Sequence, residues 1–358
     1  MKGYQFEDTQ GTFHLKKAEN ISYLYFPIAG EAGLKSSLTP NLGGDAKIDQ
    51  NTFLLEPVSA ENLVNNRNSR NFWCNVKGIG SWSLTGNAAE ALSKKFTEMQ
   101  DDSEVTAGFM WQKTTRESKK YQLRGEILSF IPVEKNVEVM LVTITNTGRM
   151  AQTVTPTAAI PLYGRSADNI RDHRHVTSLL HRIETTDIGV LVTPTLSFDE
   201  RGHQVNHMTY YCVGWSGNGE KPVDFYPTAE DFVGEGGNFE RPYAIVKNAE
   251  GVKAGTRIEG LEAVGGLHFS EVTLEPEEEC SYLIFTGITE DIQEIRNLSK
   301  TYTTREMVLE ELEKTKAYWQ EKVNVAYHTG DSDFNQFMHW VSFQPILRRI
   351  YGCSFLPH

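Results

Sequence analysis

Most of the chain carries short apolar runs with the alternation that β-strands require, and only the last quarter changes to a helical period. In residues 137–145 the odd positions and the even positions, which point to opposite faces of a strand, both consist largely of apolar and β-branched residues. This pattern is typical of a central strand covered on both faces. Similar runs, separated by Gly, Pro, Asn and Asp clusters, occupy residues 121–131, 153–160, 188–198, 208–215, 243–246, 266–274 and 281–286. Helical patterns of about 10–15 residues do not separate these runs, so a parallel α/β sheet is not expected. The sequence predicts a mainly β protein with antiparallel sheets packed as a large β-sandwich.

Two local features refine this sandwich. Turn-forming residues at 146–148 follow the strand at 137–145, so we expect a hairpin with residues 153–160. The alanine-rich residues 87–99 predict one helix inside the β region.

The last quarter of the chain predicts two helices. Thr303 and Glu306 have the spacing of a capping box, and apolar residues at helical spacing follow, which predicts a long amphipathic helix over residues 303–323. A second helix is expected to begin near Asp331 and to end or kink before Pro345, because proline has no backbone N–H. The apolar face of this second helix, which needs a partner, consists of Phe334, Phe337, Met338 and Val341.

Charge and cysteine content exclude several classes of function. The 358-residue chain has 47 Asp and Glu against 35 Lys and Arg, a net charge of −12, without a basic block, so neither nucleic acid nor a membrane surface is an expected partner. The sequence shows neither a signal-peptide pattern nor an apolar run of about 18 residues, so a cytoplasmic location is expected. The four cysteines form no C-x-x-C pair and are expected to be small buried side chains: Cys74, Cys212, Cys280 and Cys353.

The densest polar segment, residues 163–175, directly follows a predicted strand and is expected to be a displayed loop. His173 and His175, with Asp168 or Asp172, have a spacing that suits a metal ion. Four nearby arginines oppose a dication: Arg165, Arg171, Arg174 and Arg182. Alternatively, the Arg, Asp and Asn side chains contact a sugar or an anion, or they form a network that pins the loop to its own domain or to a second subunit. The residues alone leave these interpretations open.

Two further segments have more than one interpretation. An aromatic and glycine-rich stretch fits a sugar-stacking surface or, more commonly, sandwich core. Its aromatic members are Tyr210, Tyr211, Trp215, Phe225, Tyr226, Phe232, Phe239 and Tyr243. Residues 234–237 lack the spacing and the lysine of a phosphate loop, so that function is not expected. Residues 65–73 are polar and then aromatic, which fits either a binding loop or an ordinary solvated loop.

Four segments carry a resemblance to a known family: residues 50–55, 67–73, 162–175 and 344–358. Together they resemble the inverting glycoside phosphorylases of glycoside hydrolase family 94, formerly glycosyltransferase family 36, which includes cellobiose and laminaribiose phosphorylases. The resemblance implies a β-supersandwich, a helical linker and then an (α/α)6 barrel. The implied division is a β-sandwich domain at residues 1–290, a helical linker at 291–328 and the truncated start of the barrel at 329–358.

The resemblance also implies a reaction. In that family inorganic phosphate attacks the anomeric carbon of a β-glucoside while a carboxylic acid protonates the leaving oxygen, which gives α-glucose 1-phosphate. Phosphate is then a co-substrate, no cofactor or metal is implied, and the partners are a disaccharide or oligosaccharide substrate and a second copy in a homodimer.

The family's general acid and phosphate-binding residues belong beyond residue 358, so no catalytic residue is assigned and we expect this chain to be an N-terminal part that is inactive alone. The sandwich is expected to serve dimerisation and the mouth of the active site. Substrate contacts are expected from Arg165, Asp168, Asn169, Arg171, Asp172, Arg174 and His358. The alternative is a stand-alone carbohydrate-binding or structural β-sandwich module without catalysis.

Overall fold

The computed structural model describes residues 4–21, 24–58, 69–170, 174–199 and 202–352. The strands of the first half are β1 (Tyr4–Phe6), β2 (Phe13–Lys16), β3 (Phe26–Ala29), β4 (Lys35–Leu38), β5 (Ala46–Asp49), β6 (Thr52–Leu55), β7 (Asn71–Val76), β8 (Gly80–Ser83), β9 (Asp102–Gly108), β10 (Trp111–Ser118), β11 (Leu123–Phe130), β12 (Val137–Asn146) and β13 (Gln152–Leu162). Those of the second half are β14 (Arg182–Thr185), β15 (Gly189–Val192), β16 (Leu196–Asp199), β17 (Gly202–Val205), β18 (Thr209–Ser216), β19 (Asp224–Thr228), β20 (Arg257–Glu259), β21 (Ala263–His268), β22 (Val272–Leu274) and β23 (Glu279–Thr289).

The strands form two large sheets and two small ones within the described ranges. The largest sheet has eleven strands in the order β1-β2-β9-β10-β11-β12-β23-β18-β15-β14-β20. A six-stranded sheet has the order β19-β21-β13-β7-β8, with β22 also paired to β13. The smaller sheets are β3-β4-β5-β6 and β16-β17. The described strand pairs are all antiparallel, so the predicted mainly β, antiparallel sandwich is confirmed.

The central strand β12 is buried over its whole length, as its pattern predicts. Met140, Val142 and Ile144 point into the main core, which the six-stranded and four-stranded sheets close on the opposite side. Val139 and Leu141 point to the other face, where they pack against helices from the end of the β region. Both alternating sets are therefore apolar because each face of the sheet has its own cover.

The predicted hairpin between residues 137–145 and 153–160 is wrong. Strand β12 pairs with β11 and β23, whereas β13 belongs to the six-stranded sheet on the other side of the core. The side-chain amide of Asn146 donates to the carbonyls of Met150 at 2.8 Å and Leu274 at 2.9 Å, which fixes the chain as it leaves the large sheet. Side chains of the two strands instead meet in the core between the sheets, where Val142 of β12 and Ala158 of β13 are both buried.

The helices are α1 (Ala89–Ser93), α2 (Arg174–Thr177), α3 (Ala229–Val233), α4 (Tyr243–Lys247), α5 (Ile292–Thr301), α6 (Arg305–Lys322) and α7 (Ser332–Tyr351), with short 3₁₀ turns at Ala18–Asn20, Ala167–Ile170 and Ser178–Leu180. The helix predicted at 87–99 is shorter, because none of the α1 residues is buried and Phe96 has a left-handed φ of 68°. The strand predicted at 243–246 is wrong: Pro242 caps a helix there, and its buried face contains Ala244 and Ile245.

The long helix predicted at 303–323 is confirmed as α6, but the capping box is not, since Thr304 is the N-cap and its side chain makes no capping bond. Helix α7 begins as predicted, with Asp331 accepting from the backbone N–H of Phe334 at 3.0 Å. It continues through Pro345 to Tyr351 instead of ending. Pro345 and Val341 lie on the exposed side, where water can bond the carbonyl that proline leaves without a donor.

One face of α7 packs on the sandwich. Phe343 and Leu347 are completely buried against the turn after β9, near Phe109. The indole of Trp340 donates to the carbonyl of Gly11 at 2.7 Å, and the hydroxyl oxygen of Tyr351 lies 2.8 Å from two backbone carbonyl oxygens of the four-stranded sheet. The opposite face remains in solvent, since Phe334 and Phe337 are each 45% exposed.

Candidate functional site

The predicted polar loop lies between β13 and β14, and backbone bonds attach its start to the small four-stranded sheet. The N–H of Phe53 donates to the carbonyl of Arg165 at 3.0 Å, and the N–H of Ala167 donates to the carbonyl of Gln50 at 2.9 Å. The hydroxyl of Ser166 donates to the carbonyl of Phe198. Three hydrogen bonds thus attach the first half of the loop to other segments of the sandwich.

Arg165 is the centre of a buried polar network. Its side chain is 3% exposed and forms an ion pair with Glu262 at 2.5 Å. The guanidinium also donates to Nε2 of His181 at 3.2 Å and to the hydroxyl of Thr177 at 3.3 Å, and it lies 4.8 Å from the ring centre of Tyr163. These contacts match the interpretation of a network that pins the loop, one of those the sequence left open.

His181 is neutral in this network. Burial first, and then the positive charge of Arg165, lowers the pKa of His181 to about 3. Because Nε2 accepts from Arg165, the proton lies on Nδ1, which donates to the carbonyl of Leu261 at 3.2 Å. The imidazole therefore serves as an acceptor that orients the guanidinium.

The other predicted contact residues are distributed unevenly. Asp168 is exposed on the 3₁₀ turn Ala167–Ile170, whereas Asn169 is buried and its Oδ1 lies 3.3 Å from the hydroxyl oxygen of Ser166. Arg174 begins α2. Arg171, Asp172 and His358, and the possible metal ligand His173, lie outside the described residues. A substrate role for this set stays a prediction.

Among the residues that the structure describes, no group of three or more His, Cys, Asp or Glu side chains is placed to hold a metal ion.

The polar segment before β7 contains an ion pair at the centre of the core. Arg70 and Glu138 are both completely buried, and the guanidinium donates to both carboxylate oxygens, at 2.5 and 2.8 Å. Arg70 also donates to the carbonyl of Gly44 at 2.8 Å, while Glu138 accepts from the hydroxyl of Ser36 at 2.6 Å. Every partner is internal, so this end of residues 65–73 is structural; residues 65–68 lie outside the described ranges.

Most of the aromatic stretch is core, which confirms the more common interpretation. Six of its side chains are buried and, of the eight, only Tyr243 is largely exposed; the buried ones are Tyr210, Tyr211, Trp215, Phe225, Tyr226 and Phe232.

Two of the cysteines, Cys74 and Cys212, are also buried, and burial raises the pKa of both thiols. These side chains stabilise the sandwich and offer no reactive group.

Two solvent-open cavities lie against the sandwich. The first, of about 300 Å³, borders the Arg165 network and is lined by Tyr163, Phe239 and Glu262 among others. The second, of about 480 Å³, lies between the turn Ala18–Asn20, residues 85–101 and strand β10, and includes Arg116. Sequence reasoning missed this second cavity, because Arg116 belongs to a strand whose alternating residues are polar on both faces.

Helices capable of crossing a membrane are absent from the described part of the chain.

Residues 57–305 match the family described as "Glycosyl hydrolase 94, supersandwich domain". No curated protein matches the chain significantly in sequence.

The solved structures that share the fold include two whose alignments cover at least 90% of this chain. One is a bacterial glucoamylase complexed with acarbose, with a TM-score of 0.51, 9% sequence identity, and an alignment that covers 90% of this chain and 40% of that one. The other is a protein assigned as a kojibiose phosphorylase, from the human microbiome, with a TM-score of 0.50, 9% identity, and 96% and 42% coverage. The chain thus spans about two fifths of the length of either protein, and at this identity the likeness concerns the fold alone.

The family match begins two residues after β6, the last strand of the four-stranded sheet, and extends to the first residue of α6. It includes both large sheets apart from β1 and β2. Since this is well over half of the 358 residues, the chain belongs to glycosyl hydrolase family 94 through its supersandwich domain.

Proposed function

We propose that this chain is the supersandwich-bearing, N-terminal part of an inverting glycoside phosphorylase that converts a β-glucoside and inorganic phosphate into α-glucose 1-phosphate. The observation that carries the proposal is the match of residues 57–305 to the supersandwich domain of glycosyl hydrolase family 94. The resemblance of residues 162–175 and 344–358 to the phosphorylases of this family supports phosphate, rather than water, as the nucleophile.

The two faces of α7 support a larger protein. Its inner face is anchored to the sandwich by Trp340, Phe343 and Leu347. Its outer face presents Phe334 and Phe337, and exposed aromatic side chains in a row are typical of a surface that another element covers. In the proposed enzyme α7 is the first helix of an (α/α)6 barrel, and the barrel's further helices cover this outer face.

The proposed chemistry requires few protein groups. Phosphate supplies the attacking oxygen, so one carboxylic acid that protonates the leaving oxygen and a set of cationic and hydroxyl groups that hold the anion are sufficient. We assign those groups to the barrel and none of them to this chain. The sandwich then serves dimerisation, and the loop that contains Asp168 contributes to the mouth of a sugar site.

The experiment compares the product of the complete reading frame with the 358-residue chain. Each protein is incubated with laminaribiose or cellobiose, with and without inorganic phosphate, and glucose 1-phosphate is measured. We expect phosphate-dependent product from the longer protein and none from the chain alone. Product from the chain alone, sugar release without phosphate, or a reading frame that stops at His358 would each contradict the proposal.

A further inference from the structure

The second cavity is lined by a balanced set of charges. Glu19 and Asp101 contribute two carboxylates, and Lys95 and Arg116 contribute two cations. The cavity is open to solvent, so it can take the edge of a ligand rather than enclose one. The apolar side chain of Leu92, 46% exposed, borders the same cavity.

Arg116 is buried without the partners that a buried guanidinium needs. The residue is 5% exposed, and its one hydrogen bond within the described residues runs from Nη2 to the carbonyl of Thr85 at 3.2 Å. Its Nε has no partner, and no described carboxylate forms an ion pair with it. Burial lowers the pKa of Arg116, while Asp101 and Glu19 act in the opposite direction through their charges. A buried donor that lacks an acceptor is costly, so the site favours anything that supplies one.

The backbone is shaped around this guanidinium. Gly86 has a φ of +78°, and a Cβ at that position would lie 2.6 Å from Cζ of Arg116 and 2.7 Å from Nη2. Only glycine allows both this φ and this close approach. The main chain at residue 86 therefore leaves the space that the guanidinium occupies.

The carboxylates are also held in fixed orientations. The indole of Trp82 donates to Oδ2 of Asp101 at 2.9 Å, and Oδ1 has no hydrogen-bond partner among the described residues. Oε2 of Glu19 accepts from the N–H and the hydroxyl of Ser103, both at 3.0 Å. The cavity thus combines a buried donor that lacks an acceptor with an oriented carboxylate oxygen that can accept a further hydrogen bond.

A hydroxyl group meets both needs, because it accepts through its lone pairs and donates its proton. The equal number of positive and negative side chains favours a neutral ligand over an anion or a cation. We propose that this cavity binds the edge of a neutral sugar ring through two adjacent hydroxyls, one of which accepts from Arg116 and donates to Asp101. This site goes beyond the proposed phosphorolysis and does not depend on it.

The test uses the 358-residue chain and two neutral probes, glucose and cellobiose. Saturation-transfer NMR detects binding, and the fluorescence of Trp82, read as the difference from a Trp82→Phe variant, reports its location. We expect binding in the wild type and about tenfold weaker binding in Asp101→Asn, which keeps an acceptor for Trp82 but loses the charged acceptor for the hydroxyl. The matched control is Asp102→Asn, which removes the same charge from the next residue, an exposed carboxylate, and should leave binding unchanged.

Arg116→Lys is the second variant, and it should also weaken binding at least tenfold, because an ammonium group cannot reproduce the fork of donors. Circular dichroism checks the fold of each variant, and Asp101→Asn alone decides the test if Arg116→Lys does not fold. No binding of either sugar, equal binding by wild type and Asp101→Asn, or displacement of the sugar by inorganic phosphate would overturn the proposal.

Discussion

Arg70 and Arg116 are both buried arginines on strands or strand ends of the same sandwich, yet their surroundings differ. Arg70 has a carboxylate that accepts two bonds and a carbonyl that accepts a third. Arg116 has one carbonyl, an unpartnered Nε, and a cavity beside it. A buried cation costs free energy unless it is paired and fully hydrogen-bonded. The comparison therefore separates an arginine that completes the core from one that is prepared for a ligand.

Arg165 lies between these two cases. Its ion pair is as short as that of Arg70, but the side chain of Glu262 is 23% exposed, whereas Glu138 is fully buried. Water can therefore solvate Glu262 when its partner is lost, and it cannot solvate Glu138. In the order Arg70, Arg165, Arg116, the guanidinium is less and less completely hydrogen-bonded within the protein. The loss of stability expected on mutation decreases in the same order.

The largest loss is expected for Arg70→Met. Removing one member of a buried pair leaves Glu138 charged and unpaired, which costs about 3–5 kcal/mol. Urea unfolding followed by circular dichroism measures the loss. The matched control is the double variant Arg70→Met/Glu138→Leu, which removes both charges and should recover part of the stability. A single variant as stable as the wild type would remove the distinction between Arg70 and Arg116.

The next effect is a pH dependence that His181 causes. Its pKa is about 3 in the folded protein and about 6.5 when unfolded, so between these values only the unfolded state binds the proton. The free energy of unfolding therefore decreases as the pH falls below 6.5, by about 3 kcal/mol at pH ~4. His181→Gln keeps an acceptor for Arg165 and should flatten this slope, while His207→Gln, at an exposed position, should not. Equal slopes in all three proteins would show that His181 is not held neutral.

A smaller loss is expected for Arg165→Met, about 2 kcal/mol, because its hydrogen bonds are lost but Glu262 remains partly solvated. The substitution also removes the charge that helps lower the pKa of His181, so the pH dependence should weaken. Asp168→Ala, on the exposed turn of the same loop, should change stability by less than about 0.5 kcal/mol. Thermal unfolding at two pH values tests all three statements. If Arg165→Met keeps full stability and instead impairs substrate use in the longer protein, the substrate-contact prediction for Arg165 gains support.

Sequence patterns correctly predicted those strands and helices in which each face is either buried or exposed along its whole length. Residues 137–145 show apolar residues in both sets because both faces of β12 are covered, and α6 shows its period because one side rests on the sheet. Strand pairing was not predicted correctly, since β13 joins strands distant in sequence and local turn residues say little about that choice. The prediction that the helix ends before Pro345 was wrong for a similar reason. Whether a proline ends a helix depends on whether its side of the helix is exposed to water, which the local sequence does not show.

The candidate sites were harder to predict than the fold. Arg165 was identified because it lies in a dense polar loop, but its internal partners Glu262 and His181 are 97 and 16 residues away in the chain. In β10 the buried positions are all polar. Three of them, Gln112, Thr114 and Arg116, contact the loop after β4 or the cavity. Because polar residues usually mark the exposed face of a strand, the pattern concealed Arg116.

The smallest effect on stability, and the sharpest test of the comparison, is expected for Arg116→Met. Replacing an incompletely bonded buried cation by an apolar side chain of similar length removes a desolvation cost, so stability should change by less than about 1 kcal/mol or increase. The carboxylates of Asp101 and Glu19 keep their bonds to Trp82 and Ser103, so neither loses its main partner. Differential scanning calorimetry without sugar measures the change, with Arg70→Met as the reference. A loss as large as that of Arg70→Met would mean that Arg116 holds the sandwich together, and the contrast between the two arginines would disappear.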